Sequence, residues 1–173
     1  MNYADIKRID VANGPGVRVS LFVSGCTHHC KGCFNQMTWD FHYGEVFTKE
    51  TQEQVLEYLS KDFVKGLTVL GGEPFEYVNQ KGLLPLLQEV RKRFPEKSIW
   101  CYTGYDFEQD ILKDMCLKWQ ETTEMLSCLD VLVDGKFIEE LKNLNLRFRG
   151  SSNQRIIRVP ESLKAGRIIL WEE

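Results

Sequence analysis

The 173-residue sequence contains no apolar run near the roughly 20 residues that a membrane-spanning helix needs, so no membrane partner is expected. It also lacks a strong excess of either charge. Its 22 Lys and Arg against 25 Asp and Glu leave a formal charge of −3, which argues against a nucleic-acid binder that relies on phosphate contacts. Low-complexity segments, internal repeats and linkers are missing too, and a content of 43% hydrophobic and 27% charged residues excludes a disordered tail or a fibre. The opening MNYADIKRID has no apolar stretch resembling a signal peptide. Six cysteines are therefore not expected to form the disulfide framework of a short secreted chain, and a reducing, cytoplasmic location is expected. The length fits one domain over residues 1–173.

What the chain does contain is an alternation of strands and helices. Val17 to Val23 (VRVSLFV) reads as a buried strand bounded by NGPG before and Ser24-Gly25 after. The polar, aromatic stretch 24–47 shows no sustained period, and connections that long are usually functional. Thr51 and Gln54 suggest a capping box, with Val55, Leu56, Leu59 and Phe63 on the inner face of a helix reaching about residue 62. Leu67 to Leu70 is a short strand running into Gly71-Gly72-Glu73-Pro74. Pro85 suits the first position of a helix that Pro95 ends. Ser98 to Tyr102 and Asp130 to Val133 are further strands, separated by helical sequence from about Asp106 to Trp119, extending to Leu126. A short helix near Ile138 to Lys142 follows, then a polar loop from Arg149 to Arg155 and strand-like runs at Ile156 to Val159 and Ile168 to Trp171.

This order predicts an α/β fold of mainly parallel strands. A full (β/α)₈ barrel usually takes about 200 residues or more, so an incomplete (β/α) barrel, open on one side, is expected. Ligands of such sheets bind at the C-terminal ends of the strands. The turns SGC, GGEP, TGY and DGK should then meet at one site.

Cys26, Cys30 and Cys33 form C-x₃-C-x₂-C directly after the first strand. Thiolates at this spacing can wrap one metal centre from a single loop. Two readings stay open on the residues alone: a [4Fe-4S] cluster whose fourth iron is left without a protein ligand, and a structural zinc completed by His28 or His29. The zinc reading would make the chain a binding module without catalysis.

The pairing of C-x₃-C-x₂-C after one strand with GGEP after the next resembles the radical S-adenosylmethionine enzymes. The strings NGPG, LFVSGC, GCFN, TGY, VLVDGKF and RGSSNQR, spanning about residues 13 to 155, resemble the branch that activates anaerobic ribonucleoside-triphosphate reductase. The resemblance implies a [4Fe-4S] cluster on Cys26, Cys30 and Cys33, with S-adenosylmethionine bound to the remaining iron. Gly71, Gly72 and Glu73 would line its methionine end. Gly32 and Phe34 would flank it beside Cys33, and Thr103 and Asp134 would lie near the nucleoside. The wider superfamily usually has an aromatic residue just before the third cysteine, where this chain has Gly32. The implied activity is one-electron cleavage of S-adenosylmethionine to methionine and a 5′-deoxyadenosyl radical, which takes a hydrogen atom from a glycine α-carbon of the partner reductase. An external one-electron donor such as a flavodoxin is implied, a homodimer is left open, and an activase of another glycyl-radical enzyme is the alternative within this class.

The remaining candidates read as structural. His28 and His29 are expected to be solvated loop residues, and Cys101, Cys116 and Cys128 to be small buried hydrophobes. Trp39 and Phe41 either pack or meet the partner. Arg149 to Arg155 is either a polar turn or a docking element for the reductase or an anionic group.

Overall fold

The computed structural model describes residues 1–172. Seven strands form one sheet: β1 (Asn2–Asp10), β2 (Val17–Val23), β3 (Glu45–Val46), β4 (Val64–Gly71), β5 (Ser98–Tyr102), β6 (Val131–Asp134) and β7 (Arg155–Arg158). Their order is β3-β1-β2-β4-β5-β6-β7. Four of the strands expected from sequence, β2, β4, β5 and β6, are parallel neighbours in that order, with Leu21 beside Val69, Leu67 beside Ile99 and Cys101 beside Leu132, and the strand-like run expected at Ile156 to Val159 is β7. Antiparallel strands flank them, β1 and β3 on one side and β7 on the other. The sequence pattern missed β1 because Asn2–Asp10 is mostly polar and only its last residue is buried.

The helices are α1 (Lys49–Leu59), α2 (Tyr77–Arg93), α3 (Cys116–Lys118), α4 (Gln120–Cys128) and α5 (Val159–Ala165). The expected box at Thr51 and Gln54 gives way to one three residues earlier: Thr48 caps α1, and Thr51 supplies the reciprocal bond. Val55, Leu56 and Leu59 are buried as expected, whereas Phe63 lies beyond the helix end and is exposed. Helix α2 begins eight residues before Pro85, which sits inside it and removes one backbone N–H from the ladder. Phe107–Met115 is π-helical, capped by the Asp106 carboxylate, which accepts from the Glu108 and Gln109 N–H groups. The expected helix near Ile138 is a single 3₁₀ turn, Glu139–Leu141. Residues 168–171 make one antiparallel bridge, Leu170 to Ile157, rather than a strand. Among the described residues, no helix is long and apolar enough to cross a membrane.

Alternate strand residues face opposite sides of the sheet. One face, with Val19, Leu21, Leu67, Val69, Ile99 and Leu132, packs with Val55, Leu83, Leu87 and Met125 of the helices as the main core. On the other face Trp100, Val131 and Val133 pack with Phe148 and Trp171. This second face also buries Arg18, whose guanidinium donates to Thr68 Oγ1 (2.8 Å), Ser98 Oγ (3.0 Å) and the carbonyls of Leu67 and Ser98 (3.0 Å each). Burial pushes the Arg18 pKa down to about 10. Satisfied in this way, a charged side chain can floor the interior face below the strand ends.

Candidate functional site

The C-terminal ends of β2, β4, β5 and β6 open into one pocket of about 480 Å³. Cys26, Cys30, Cys33, Phe34, Gly71, Gly72, Glu73 and Thr103 all line it. Gly32 and Asp134 are outside the described lining residues. Asp134 is buried at the end of β6, with Arg155 donating to both carboxylate oxygens (3.0 and 2.7 Å) and the Phe107 N–H donating to one (2.9 Å). Gly32 is exposed, and a Cβ there would meet Glu139.

The cysteine loop is fastened to the strand ends through its backbone. Gly25 N–H donates to the Thr38 carbonyl (2.7 Å), Gly72 N–H to the Val23 carbonyl (2.8 Å) and Glu73 N–H to the Gly25 carbonyl (2.8 Å). Gly72 is required by this closeness: a Cβ would lie 2.6 Å from the Gly25 oxygen and 2.9 Å from the Thr38 oxygen. The Asn79 amide at the start of α2 donates to the carbonyls of Ser24 (3.0 Å) and Glu73 (2.9 Å), tying the same turns from below.

Glu73 is 1% exposed, and its carboxylate is fully engaged. One oxygen accepts from the Gly104 N–H and meets His28 Nε2, both at 2.7 Å; the other accepts from the Thr103 hydroxyl and the Phe75 N–H, both at 2.8 Å. Glu73 thus lines the pocket chiefly as the knot that joins β4, β5 and the cysteine loop. Thr103, the strand-end residue expected near a nucleoside, is part of the same knot.

His28 corrects the expectation of a solvated residue, because its side chain is only 6% exposed. His29 has a positive φ of 51° and stacks on Trp39, ring centroids 4.3 Å apart. Trp39 lines the pocket, while Phe41 packs over Gly25.

The three thiols suit a metal centre by donor chemistry. Burial pushes the Cys26 thiol up to about 11 and raises Cys30 as well, so ligation would displace protons from both. The Asn35 N–H donates to Cys33 Sγ (3.4 Å), the kind of contact that would tune a metal-bound thiolate. Among the described residues, no three Cys, His, Asp or Glu side chains gather as ligands of a single ion. Three thiols around one pocket fit a cluster whose iron corners each take one thiolate. A structural zinc needs four donors at one point, and of the two histidines considered for that role His28 is bonded to Glu73 instead.

The 4Fe-4S single cluster domain family matches residues 12–157. The anaerobic ribonucleoside-triphosphate reductase-activating protein of Enterobacteria phage T4 is 44% identical over 156 residues, covering 90% of this chain and 93% of the phage protein. The protein of that name from Haemophilus influenzae is 44% identical over 160 residues (91% and 98%), and that from Escherichia coli K12 is 40% identical over 156 residues (89% and 96%). The chain belongs to this activating-protein family.

In this member of the activating-protein family, the RGSSNQR segment is a folded turn that also borders the pocket. Gln154 accepts from the Gly150 N–H (2.8 Å) and donates to the Gly135 carbonyl (3.0 Å), Asn153 donates to the Lys136 carbonyl (2.8 Å), and Arg149 donates to the Gln154 carbonyl (2.8 Å). Arg149, Gly150 and Gln154 line the pocket, as do Gly104, Phe137 and Phe148, none of which the sequence reading named as cofactor contacts. For Arg149, Gly150 and Gln154 the signal was the polar run between two strands; Gly104 and Phe137 belong to the TGY and DGKF strand ends expected at the site. Phe34, 58% exposed, leans on Phe137 (centroids 5.0 Å apart) and forms part of the rim.

Cys101 is fully buried and Cys128 buried, as expected of packing cysteines; Cys116 is half-buried against the core. All six cysteines are free thiols.

Proposed function

We propose that this chain is a radical S-adenosylmethionine activase that generates a glycyl radical on anaerobic ribonucleoside-triphosphate reductase. The observation that carries the reading is the meeting of three loop thiols with the Gly71-Gly72 turn and the β5 end in one pocket at the C-terminal edge of parallel strands. Cys26, Cys30 and Cys33 would hold a [4Fe-4S] cluster and leave one iron for S-adenosylmethionine. The chemistry that this pair supplies when bound is the one-electron cleavage and hydrogen-atom abstraction described above.

The chain's own residues orient and shield. The Gly71-Gly72 turn lines the pocket with backbone, and the close approach of Val23, Gly25 and Thr38 leaves no room for a side chain at either glycine. Phe34, Phe137 and Phe148 give the pocket apolar surface. Thr103 stands beside the expected nucleoside position, Gly32 flanks the third ligand, and Asp134 shapes that end of the site by holding Arg155 and the Phe107 N–H. We read the sheet as an incomplete barrel whose open side admits a glycine carried by a large protein. An external one-electron donor, of which a flavodoxin is an example, completes the cycle, and the location is cytoplasmic.

The test is anaerobic reconstitution with iron and sulfide. The wild-type protein should be brown and bleach with dithionite. With S-adenosylmethionine, reductant and the reductase it should give a glycyl radical by EPR. Cys30→Ala should lose S-adenosylmethionine cleavage; retained cleavage in that variant, or a colourless wild type with stoichiometric zinc, would overturn the assignment.

A further inference from the structure

The two residues that follow Cys26 are gripped by groups distant in sequence. His28 Nε2 lies 2.7 Å from Glu73 Oε1, and that carboxylate already accepts from two backbone N–H groups, so Nε2 carries the proton and donates. The imidazole packs edge-on against Tyr105, ring centroids 4.4 Å apart. Its other neighbour is the backbone of Gly104, where a Cβ would lie 2.6 Å from His28 Cδ2 and 2.7 Å from Nε2. Gly104 has to be glycine because the ring occupies that space. Next to it, the Thr27 hydroxyl donates to Glu76 Oε1 (2.8 Å), which also accepts from the Tyr105 hydroxyl (3.0 Å).

We infer that His28 is a positioning residue: held by Glu73, Gly104 and Tyr105, it fixes the Cys26 to Cys30 segment on the strand-end turns. The thiols and the glycine turn then keep one relative geometry. This inference rests on the proposed cluster for its consequence, since a ligand bridging the cluster and the Gly71-Gly72 turn is sensitive to their separation. A slot read only as a solvated histidine would have no such effect. Thr27 and Glu76 form a second, more exposed fastening of the same segment.

The test is hydrogen exchange of the amides from Cys26 to Cys30, measured on both cluster-free and reconstituted protein. His28→Ala should raise exchange there about tenfold or more, the change expected from losing a hydrogen bond to a charged group, while β4 and β5 stay protected. His28→Gln, whose Nε2 can reach the same carboxylate, should bring exchange back to within about threefold of wild type. Gly104→Ala should mimic His28→Ala by displacing the ring. The double variant should be no worse than His28→Ala alone, because the clash has gone. In reconstituted protein, His28→Ala should need about tenfold more S-adenosylmethionine to perturb the EPR signal of the reduced cluster.

Unchanged exchange in His28→Ala, or additive effects of the two substitutions, would overturn the inference. Should His28→Ala fail to fold, Gly104→Ala and His28→Gln carry the same comparison. A wild type that takes up no cluster would defeat the proposed function but leave the exchange result on cluster-free protein standing.

Discussion

Replacing Glu73 by Gln keeps the side-chain shape and removes only the charge and one acceptor. The carboxylate receives Gly104 N–H and His28 Nε2 on one oxygen, and Phe75 N–H and the Thr103 hydroxyl on the other. An amide has one oxygen and one NH₂ group. Whichever way it is turned, the NH₂ faces a backbone N–H, either that of Gly104 or that of Phe75. His28 can change tautomer and Thr103 can rotate its hydroxyl, but a backbone N–H cannot adapt. One buried donor left without an acceptor costs about 1 to 3 kcal/mol, and bonds weakened from charged to neutral acceptors add roughly 1 kcal/mol. A loss of about 3 kcal/mol corresponds to a fall in Tm of about 6 to 12 °C for a domain of this size. Calorimetry of the cluster-free protein under reductant measures it, with no contribution from metal ligation. A fall of less than about 2 °C would refute the view that this carboxylate joins the three segments.

Gly72→Ala places a Cβ against the backbone of Gly25 and Thr38; overpacking there should cost about 1 to 3 kcal/mol by urea denaturation and weaken S-adenosylmethionine binding in reconstituted protein. Asp10 is pushed up by burial but held below the usual carboxylate value overall by bonds from the Ser20 hydroxyl, the Ala12 N–H and the Asn13 amide. A lowered folded pKa contributes stability above the unfolded value of 3.8 that is lost as pH falls through the folded one. Asp10→Asn should therefore destabilise more at pH 7 than at pH 3, and equal urea-midpoint shifts at the two pH values would contradict this. Burial raises the Cys101 thiol well above 9. In cluster-free native protein at pH 8, mass spectrometry should find Cys101 unalkylated by iodoacetamide while the half-buried Cys30 and Cys33 react.

The parallel centre of the sheet was legible because its strands are covered and therefore apolar: VRVSLFV and SIWCY stand out against their flanks. Of the antiparallel margins, β7 was legible as the apolar run at Ile156 to Val159, and the other two were not. β1 is mostly polar, and β3 is two exposed residues that pair with β1. Helix α2 was read eight residues short for a different reason. Its first turns present Asn79 and Gln80 to the interior, each bonded there to loop backbone, so a pattern built on apolar residues starts only where they end.

The same physics governs what could be read of the site. Cysteines at ligand spacing and glycine pairs at strand ends announce themselves, because few other residues can do what they do. His28 does not, since a histidine in a polar loop is ordinarily wet, and its partner Glu73 lies 45 positions away. Burial of a polar group is stable only when its bonds are satisfied. At this pocket the satisfying groups are largely turn backbones, Gly104 and Phe75 for the Glu73 carboxylate, and Ser24 and Glu73 for the Asn79 NH₂ group. Every residue has such groups, so they leave no mark on the sequence. Asp134 shows the complementary case: it is visible as a strand-end carboxylate, but its committed partner, Arg155, sits in the RGSSNQR run. One arginine of that motif serves the fold. The other, Arg149, closes the turn on the Gln154 carbonyl and also borders the pocket, so which partner each arginine of a single string takes is visible only once the turn between them is closed.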